Sequence, residues 1–109
     1  MAFEQFLPDY FAECEQHLAS IRGVLLELDA LPTGTPLDRV RLQDLLRALH
    51  TLKGLSGMVG LVPAERVAHA LEDALRSWRG AGGALDAAAV QTLFSGTRLL
   101  EACITSKRD

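Results

Sequence analysis

Apolar residues recur at intervals of three and four along most of this 109-residue chain, and this spacing constrains the fold more than any other feature. The spacing places apolar side chains on one face of a helix. No segment shows the sustained alternation and β-branched enrichment that predict a strand. The first stretch illustrates the pattern, with apolar residues at Leu7, Tyr10, Phe11, Cys14, Leu18, Ile21, Val24, Leu25 and Leu28. The sequence therefore predicts an all-α fold.

Proline and glycine divide the pattern into four predicted helices, at about residues 8–31, 37–59, 63–79 and 87–106. The chain is broken by Pro32, Gly34 and Pro36 after the first helix, by Gly60 after the second and by a glycine-rich loop at 80–83 after the third. The predicted buried stripe of the second helix is Leu42, Leu45, Leu49, Leu52, Ser56 and Val59, with Leu46 and Leu55 at its edge, and that of the third is Val67, Ala70, Leu71, Ala74, Leu75 and Trp78. Pro8 is expected at the start of the first helix, where a missing N–H costs little, with residues 2–6 as a short lead-in turn. Asp86 is a plausible N-cap of the fourth helix. Because short connections join antiparallel neighbours, we expect an up-down-up-down antiparallel four-helix bundle, with residues 1–109 as one domain.

Composition excludes several classes of protein. A mass of 11.8 kDa leaves room for one domain, and a net charge of -3 gives no general affinity for nucleic acid or anionic membranes. Cys14 and Cys103 lie far apart and lack metal-ligand spacing, so we interpret them as small buried apolar side chains. The chain begins without a basic signal-peptide region, and no apolar run approaches the roughly 18 residues that span a bilayer. We expect a cytoplasmic, monomeric domain.

Charge is unevenly distributed along the chain. Residues 1–30 carry a net charge of -5, whereas residues 31–60 carry +2. One interpretation is weak pairing between the first two helices, worth well under about 1 kcal/mol a pair. The other is that the second helix presents its positive side to an anion.

His50 has an unusual setting on the predicted second helix. Lys53 and Gly54 lie three and four residues further on, and Gly57 follows at seven, so all share a side of the helix with His50. Two glycines inside a helix cost roughly 1 kcal/mol each, which suggests that another surface approaches this histidine closely. The alternative is an ordinary surface histidine, with glycines that let the third helix pack close.

The predicted third helix supplies a partner for His50. His69 and Glu72 share one of its faces, and an antiparallel turn at Gly60 brings them to about the height of His50. A carboxylate there could accept a hydrogen bond from one ring N–H and leave a lone pair on the other nitrogen. A base, an orienting carboxylate and a nearby cation form a nucleophile suited to accepting a phosphoryl group.

The run from His50 to Gly60 resembles the motif of histidine phosphotransfer (HPt) domains, most closely those at the N-terminus of CheA-type chemotaxis histidine kinases. That family reads H-x-x-K-G-x-x-G-x-x-G, followed by a helix with H-x-x-E, and the chain matches it without a gap. The resemblance implies that His50 is phosphorylated, Lys53 stabilises the phosphoryl oxygens and Glu72 sets the tautomer. It places His69 in the same polar cluster. The docking surface is expected at Gly54, Gly57, Leu46 and Arg47.

The resemblance also implies a carrier role. His50 would accept a phosphoryl group from a kinase ATP-binding domain, in cis or in trans, or from a receiver aspartate, and pass it to the receiver domain of a response regulator. ATP and Mg²⁺ are expected on those partners and no cofactor on this domain, which would not be an enzyme in isolation. Both a free-standing carrier and a part of a larger kinase fit this interpretation.

Two alternatives belong to other classes of protein. The first is a degenerate bundle that docks a receiver or adaptor without phosphotransfer. The second is a metal-binding bundle that uses His50, His69 and Glu72. Metal ligands in bundles face the core, whereas His50 lies off the apolar stripe.

Overall fold

Four helices account for most of the chain in the computed structural model, which describes residues 2–32, 35, 38–80 and 86–109, with side chains from residue 6 onward and excluding residue 80. Helix α1 spans Ala2–Asp29, α2 Arg39–Met58, α3 Val62–Gly80 and α4 Ala87–Arg108. The described residues contain no strand. The all-α prediction is confirmed.

The helices form a closed ring in which α1 packs on α2 and α4, and α3 packs on the same two helices. Contacts at opposite ends show that α1 and α2 are antiparallel: Tyr10 meets Ser56, and Glu27 meets Arg41. The bundle measures 48 × 23 × 21 Å. This is the predicted up-down-up-down arrangement.

The prediction that the first helix starts at Pro8 is wrong. Helix α1 begins at Ala2 and continues through Pro8 without a lead-in turn. Proline has the φ angle of a helix, so the chain loses one backbone hydrogen bond and accepts local crowding near the end of the helix. Half-buried Leu7 packs against the core cluster, which holds this extension on the bundle.

Helix ends differ from prediction by small amounts. Helix α1 ends at Asp29, two residues early, and α4 continues two residues beyond 106, to Arg108. Helix α2 starts at Arg39, where the side chain of Asp38 accepts a hydrogen bond from the backbone N–H of Arg41. Three features of the prediction lie outside the described residues: the start of the second helix at residue 37, the breakers Gly34 and Pro36, and most of the glycine-rich loop at 80–83. Asp86 caps α4 as predicted.

A tight turn at Gly60 sets α3 back against α2. Gly60 has a φ of +76°, which favours glycine. The N–H of Leu61 donates to the carbonyl of Ser56, and that of Gly60 to the carbonyl of Gly57, a Schellman ending. The turn therefore satisfies the last carbonyls of α2 while reversing the chain.

The buried face of α3 is rotated relative to the prediction. Ala70, predicted to be buried, is exposed, whereas Ala64 and Ala68 are fully buried. They share a stripe at four-residue spacing with Glu72, which contacts α2. Small alanines let two helices approach closely. The apolar pattern did not predict this buried face, because it includes the polar residue Glu72.

No helix in the described parts of the chain has the length and hydropathy needed to cross a bilayer.

Candidate functional site

The centre of the site is a hydrogen bond between α2 and α3. Nδ1 of His50 lies 2.9 Å from Oε2 of Glu72. The side chain of His50 is 65% exposed, whereas that of Glu72 is fully buried. Because an ionised carboxylate only accepts hydrogen bonds, Nδ1 must donate, and the neutral ring then carries its lone pair on Nε2.

Two cations share the same carboxylate. Nζ of Lys53 lies 2.7 Å from Oε1 of Glu72, and a guanidinium nitrogen of Arg76 lies 3.1 Å from Oε2. Burial raises the pKa of Glu72, but hydrogen bonds from Lys53 and His50 and the charges of Lys53 and Arg76 outweigh it and leave the pKa below its usual value. Glu72 is therefore ionised near neutral pH and remains an acceptor for His50.

Local sequence explains why these groups meet. Leu49 and Leu52 are buried in the core and fix the rotation of α2, so His50 and Lys53, one turn apart, emerge on the side next to α3. Glu72 approaches from α3 because the Gly60 turn makes the two helices antiparallel. The pairing of His50 with Glu72, inferred from heights along two predicted helices, matches this geometry.

Among the described residues, His69 makes no hydrogen bond or ion pair with His50, Lys53 or Glu72. Its Nε2 lies 3.4 Å from a carboxylate oxygen of Asp73, one turn further along α3, and both side chains are exposed. The prediction that His69 belongs to the polar cluster is therefore not met. The ring lies beside an acceptor on its own helix, whereas Glu72 is engaged by hydrogen bonds from His50 and Lys53 and by the charge of Arg76.

The residues predicted for the docking surface have different surroundings. A Cβ at Gly54 would meet no atom within 4 Å, so this position is open, whereas one at Gly57 would lie 2.8 Å from a carboxylate oxygen of Glu65. Arg47 is exposed one turn before His50. Leu46 is only 8% exposed, so its assignment to the surface is wrong. The apolar face of α2 is wider than predicted and takes Leu46 into the core.

Sequence reasoning missed two polar contacts. Arg76 lies four residues after Glu72, a spacing that brings side chains together on a helix and could have identified it. The second contact is a buried hydrogen bond of 2.9 Å between the Tyr10 hydroxyl and Ser56. Both residues were expected to face the core, but their pairing depends on how α1 and α2 are aligned.

Within the described ranges, no group of three or more His, Cys, Asp or Glu side chains is arranged to hold a metal ion. Cys14 and Cys103 are both free thiols, the first buried and the second half-buried.

Fold and site together define a helical-bundle module that displays one oriented histidine on its side. The comparisons give the family: the Hpt domain model matches residues 5–108, so this chain belongs to the Hpt domain family. No solved structure gives a significant match.

The chain is also similar in sequence to part of several chemotaxis proteins named CheA. The chain is 31% identical over 101 residues to the chemotaxis protein CheA of Halobacterium salinarum, which covers 93% of this chain and 14% of that protein. It is 30% identical over 104 residues to CheA of Treponema pallidum, or 95% of this chain and 12% of the relative. For CheA of Bacillus subtilis the identity is 30% over 106 residues, 97% of this chain and 15% of the relative. The chain thus spans a small part of these proteins.

Proposed function

We propose that this domain carries phosphoryl groups on Nε2 of His50 in a chemosensory phosphorelay. The donor is a kinase ATP-binding domain or a receiver aspartate, and the acceptor is a receiver aspartate of a response regulator. The observation that carries the proposal is the 2.9 Å hydrogen bond from Nδ1 of His50 to buried Glu72, which assigns the lone pair to Nε2 on an exposed ring. Similarity to CheA proteins supports the chemosensory setting.

The transfer step follows from this geometry. The Nε2 lone pair forms a bond to phosphorus, while the bond from phosphorus to the donor oxygen breaks and its electron pair leaves with that oxygen. The proton on Nδ1 stays in place, so the ring becomes positively charged. The Glu72 carboxylate stabilises that charge, and positioning and electrostatics provide most of the catalysis. ATP and Mg²⁺ would be held by the partner domains.

The test is phosphorylation of the wild-type chain and of His50→Gln by a CheA kinase core with ATP and Mg²⁺, and separately by phosphoramidate. We expect acid-labile, alkali-stable phosphate on the wild-type chain at His50 and none on the variant. His69→Gln is the matched control, since His69 is exposed on the adjacent helix, and it should be labelled like the wild type.

Two outcomes would contradict the proposal. Labelling of His50→Gln would show that another group is the acceptor. A wild-type chain that binds a receiver domain but acquires no phosphate from either donor would instead indicate a docking bundle. Because His50 is 65% exposed, the variant should keep its helical content and thermal midpoint, which circular dichroism will verify.

A further inference from the structure

Lys53 is engaged with Glu72 and must change partners to assist phosphoryl transfer. Its ammonium lies 2.7 Å from Oε1 of a carboxylate that is fully buried. Lys53 lies one turn after His50 on α2, and the resemblance to HPt domains implies that the same ammonium stabilises the phosphoryl oxygens at His50. If it turned away with nothing in its place, a buried charge would lose its cation, which is strongly unfavourable.

Arg76 is placed to prevent that loss. Its guanidinium lies 3.1 Å from Oε2 of Glu72, the oxygen that also accepts from Nδ1 of His50. The contact joins residues four apart on α3, so it does not depend on how α2 moves or on what docks there. The guanidinium is always charged, and its side chain is 50% exposed, so it is only partly desolvated.

We propose that Arg76 is a positioning residue, the resident counter-ion of Glu72 that frees Lys53 to turn from the carboxylate to the incoming phosphoryl group. This inference rests on the proposed function. With Lys53 on the phosphoryl oxygens, Glu72 still holds Arg76 and the N–H of His50. The carboxylate therefore stays ionised, paired and aimed at Nδ1 throughout the transfer.

The contact geometry distinguishes this role from direct binding of phosphate. Arg76 approaches the Nδ1 side of the site, through the oxygen that His50 Nδ1 contacts, whereas phosphate is expected on Nε2. Lys53 occupies the other carboxylate oxygen. The two cations thus contact different oxygens of Glu72, and only one of them needs to leave.

The first test is a double-variant cycle on stability, which requires no phosphotransfer. Lys53→Met, Arg76→Met and the double variant are unfolded in urea at neutral pH. If either cation can neutralise Glu72, each single variant lowers the midpoint modestly, and the double variant lowers it by more than the sum of the two. An additive double variant would overturn the proposal, because the cations would then not substitute for one another.

The second test measures phosphorylation rates with the CheA kinase core and ATP. Arg76→Met should be slowed about tenfold, equivalent to about 1.4 kcal/mol in the barrier, and Arg76→Lys should recover most of the rate. In a Lys53→Met background, Arg76→Met leaves buried Glu72 without a cation, so the loss of rate should be at least as large as in the wild-type background. Arg98→Met, which removes an exposed arginine on α4, is the charge-matched control and should leave the rate unchanged.

The outcomes separate the two proposals. A normal rate in Arg76→Met, or an Arg76→Met loss that disappears in the Lys53→Met background, would overturn the role of Arg76 alone. Failure of the wild-type chain to acquire phosphate on His50 would overturn the proposed function and this role with it. A loss of rate that Arg76→Lys does not recover would show that charge is not what Arg76 supplies, and would also overturn the inference.

Discussion

The two central residues of the site differ sharply in solvent exposure. His50 is largely exposed, as a group must be if it is to meet two partners, whereas Glu72 is completely buried. A buried carboxylate is costly unless it is paired, and hydrogen bonds from His50 and Lys53 together with an ion pair to Arg76 satisfy Glu72. The cost of burying that carboxylate is offset by contacts that also hold the ring of His50 in one orientation.

Stability should respond to the ionisation of Glu72. Because its pKa is lowered in the folded protein, Glu72 contributes stability above its unfolded value near 4.5, and that contribution disappears as the pH falls through the folded pKa. Between about pH 6 and about pH 3, the urea midpoint of the wild type should fall more steeply than that of Glu72→Gln. Glu13→Gln, an exposed site on α1, is the control and should follow the wild type. Parallel curves for wild type and Glu72→Gln would contradict the assignment.

Phosphorylation should also depend on Glu72. Glu72→Gln keeps the shape of the side chain but removes the charge that stabilises the ring cation. We expect a slower transfer by about tenfold to a hundredfold, from the loss of a charge-assisted hydrogen bond. Rates with a CheA kinase core measure this. An unchanged rate would show that Glu72 does not orient or stabilise His50.

At the scale of helices, close packing depends on small residues in particular places. Ala64 and Ala68 let α3 approach α2 beside Glu72. Where α3 meets α4, Leu71 packs directly against Gly96, and a Cβ at that position would overlap Cδ2 of the leucine. Glycine at 96 is therefore a packing requirement, whereas glycine at 54 has open space around it.

These two glycines should respond oppositely to alanine. Gly54→Ala should stabilise the protein by about 0.5–1 kcal/mol, because alanine is the better helix former and its methyl group meets nothing. Gly96→Ala should destabilise it by about 1–3 kcal/mol through overpacking against Leu71. Urea unfolding of both variants measures these changes in the free energy of unfolding, and changes of the same sign would contradict the prediction. If Gly54→Ala is stabilised yet transfers phosphate more slowly, the open space at 54 is used by a docking partner, whereas an unchanged rate would argue against docking at that position.

The buried Tyr10–Ser56 hydrogen bond aligns α1 with α2. Tyr10→Phe should cost about 1 kcal/mol, since it leaves the Ser56 hydroxyl without its partner. The double variant Tyr10→Phe, Ser56→Ala should lose less than the sum of the single losses, because it removes both polar groups. Denaturant unfolding measures this coupling, and a strictly additive pair would show that the bond contributes nothing.

At the scale of the whole molecule, the candidate site occupies one side of the bundle. The site lies on α2 and α3, while α1 and α4 complete the core behind it. The first two helices carry opposite charge, yet their ion pair in the described part of the chain is the exposed contact of Arg41 with Glu27, worth little. Lys53 instead pairs with Glu72 of α3.

Phosphorylation should therefore leave the bundle unchanged. Because Glu72 and Arg76 are already in place and only the side chain of Lys53 has to turn, we expect backbone amide shifts in NMR spectra to change around His50, Lys53 and Glu72 and not along α1 or α4. Comparison of spectra with and without phosphoramidate measures this. Shifts distributed over all four helices would instead indicate a conformational switch.

Much of this structure follows from the sequence alone. Apolar spacing gives four helices, because burying the apolar face of each helix supplies most of the favourable free energy of folding. The spacing of His50, Lys53, Gly54 and Glu72 likewise gives the central residues of the site. These are local patterns, set by the 3.6-residue period of a helix. The same period places Arg76 beside Glu72. The importance of that ion pair depends on the burial of Glu72, which only the structure shows.

Tertiary packing decided the rest. The positions of the neighbouring helices decide how α3 is rotated, with Ala68 buried and Ala70 exposed. They also decide that Leu46 is buried and that His69 lies away from the site. The same is true of the Tyr10–Ser56 bond, since two polar groups 46 residues apart meet only when α1 and α2 are aligned. Local periodicity fixes which face is apolar, but a helix settles at the rotation that best satisfies packing and buried polar groups together, and that balance involves all four helices.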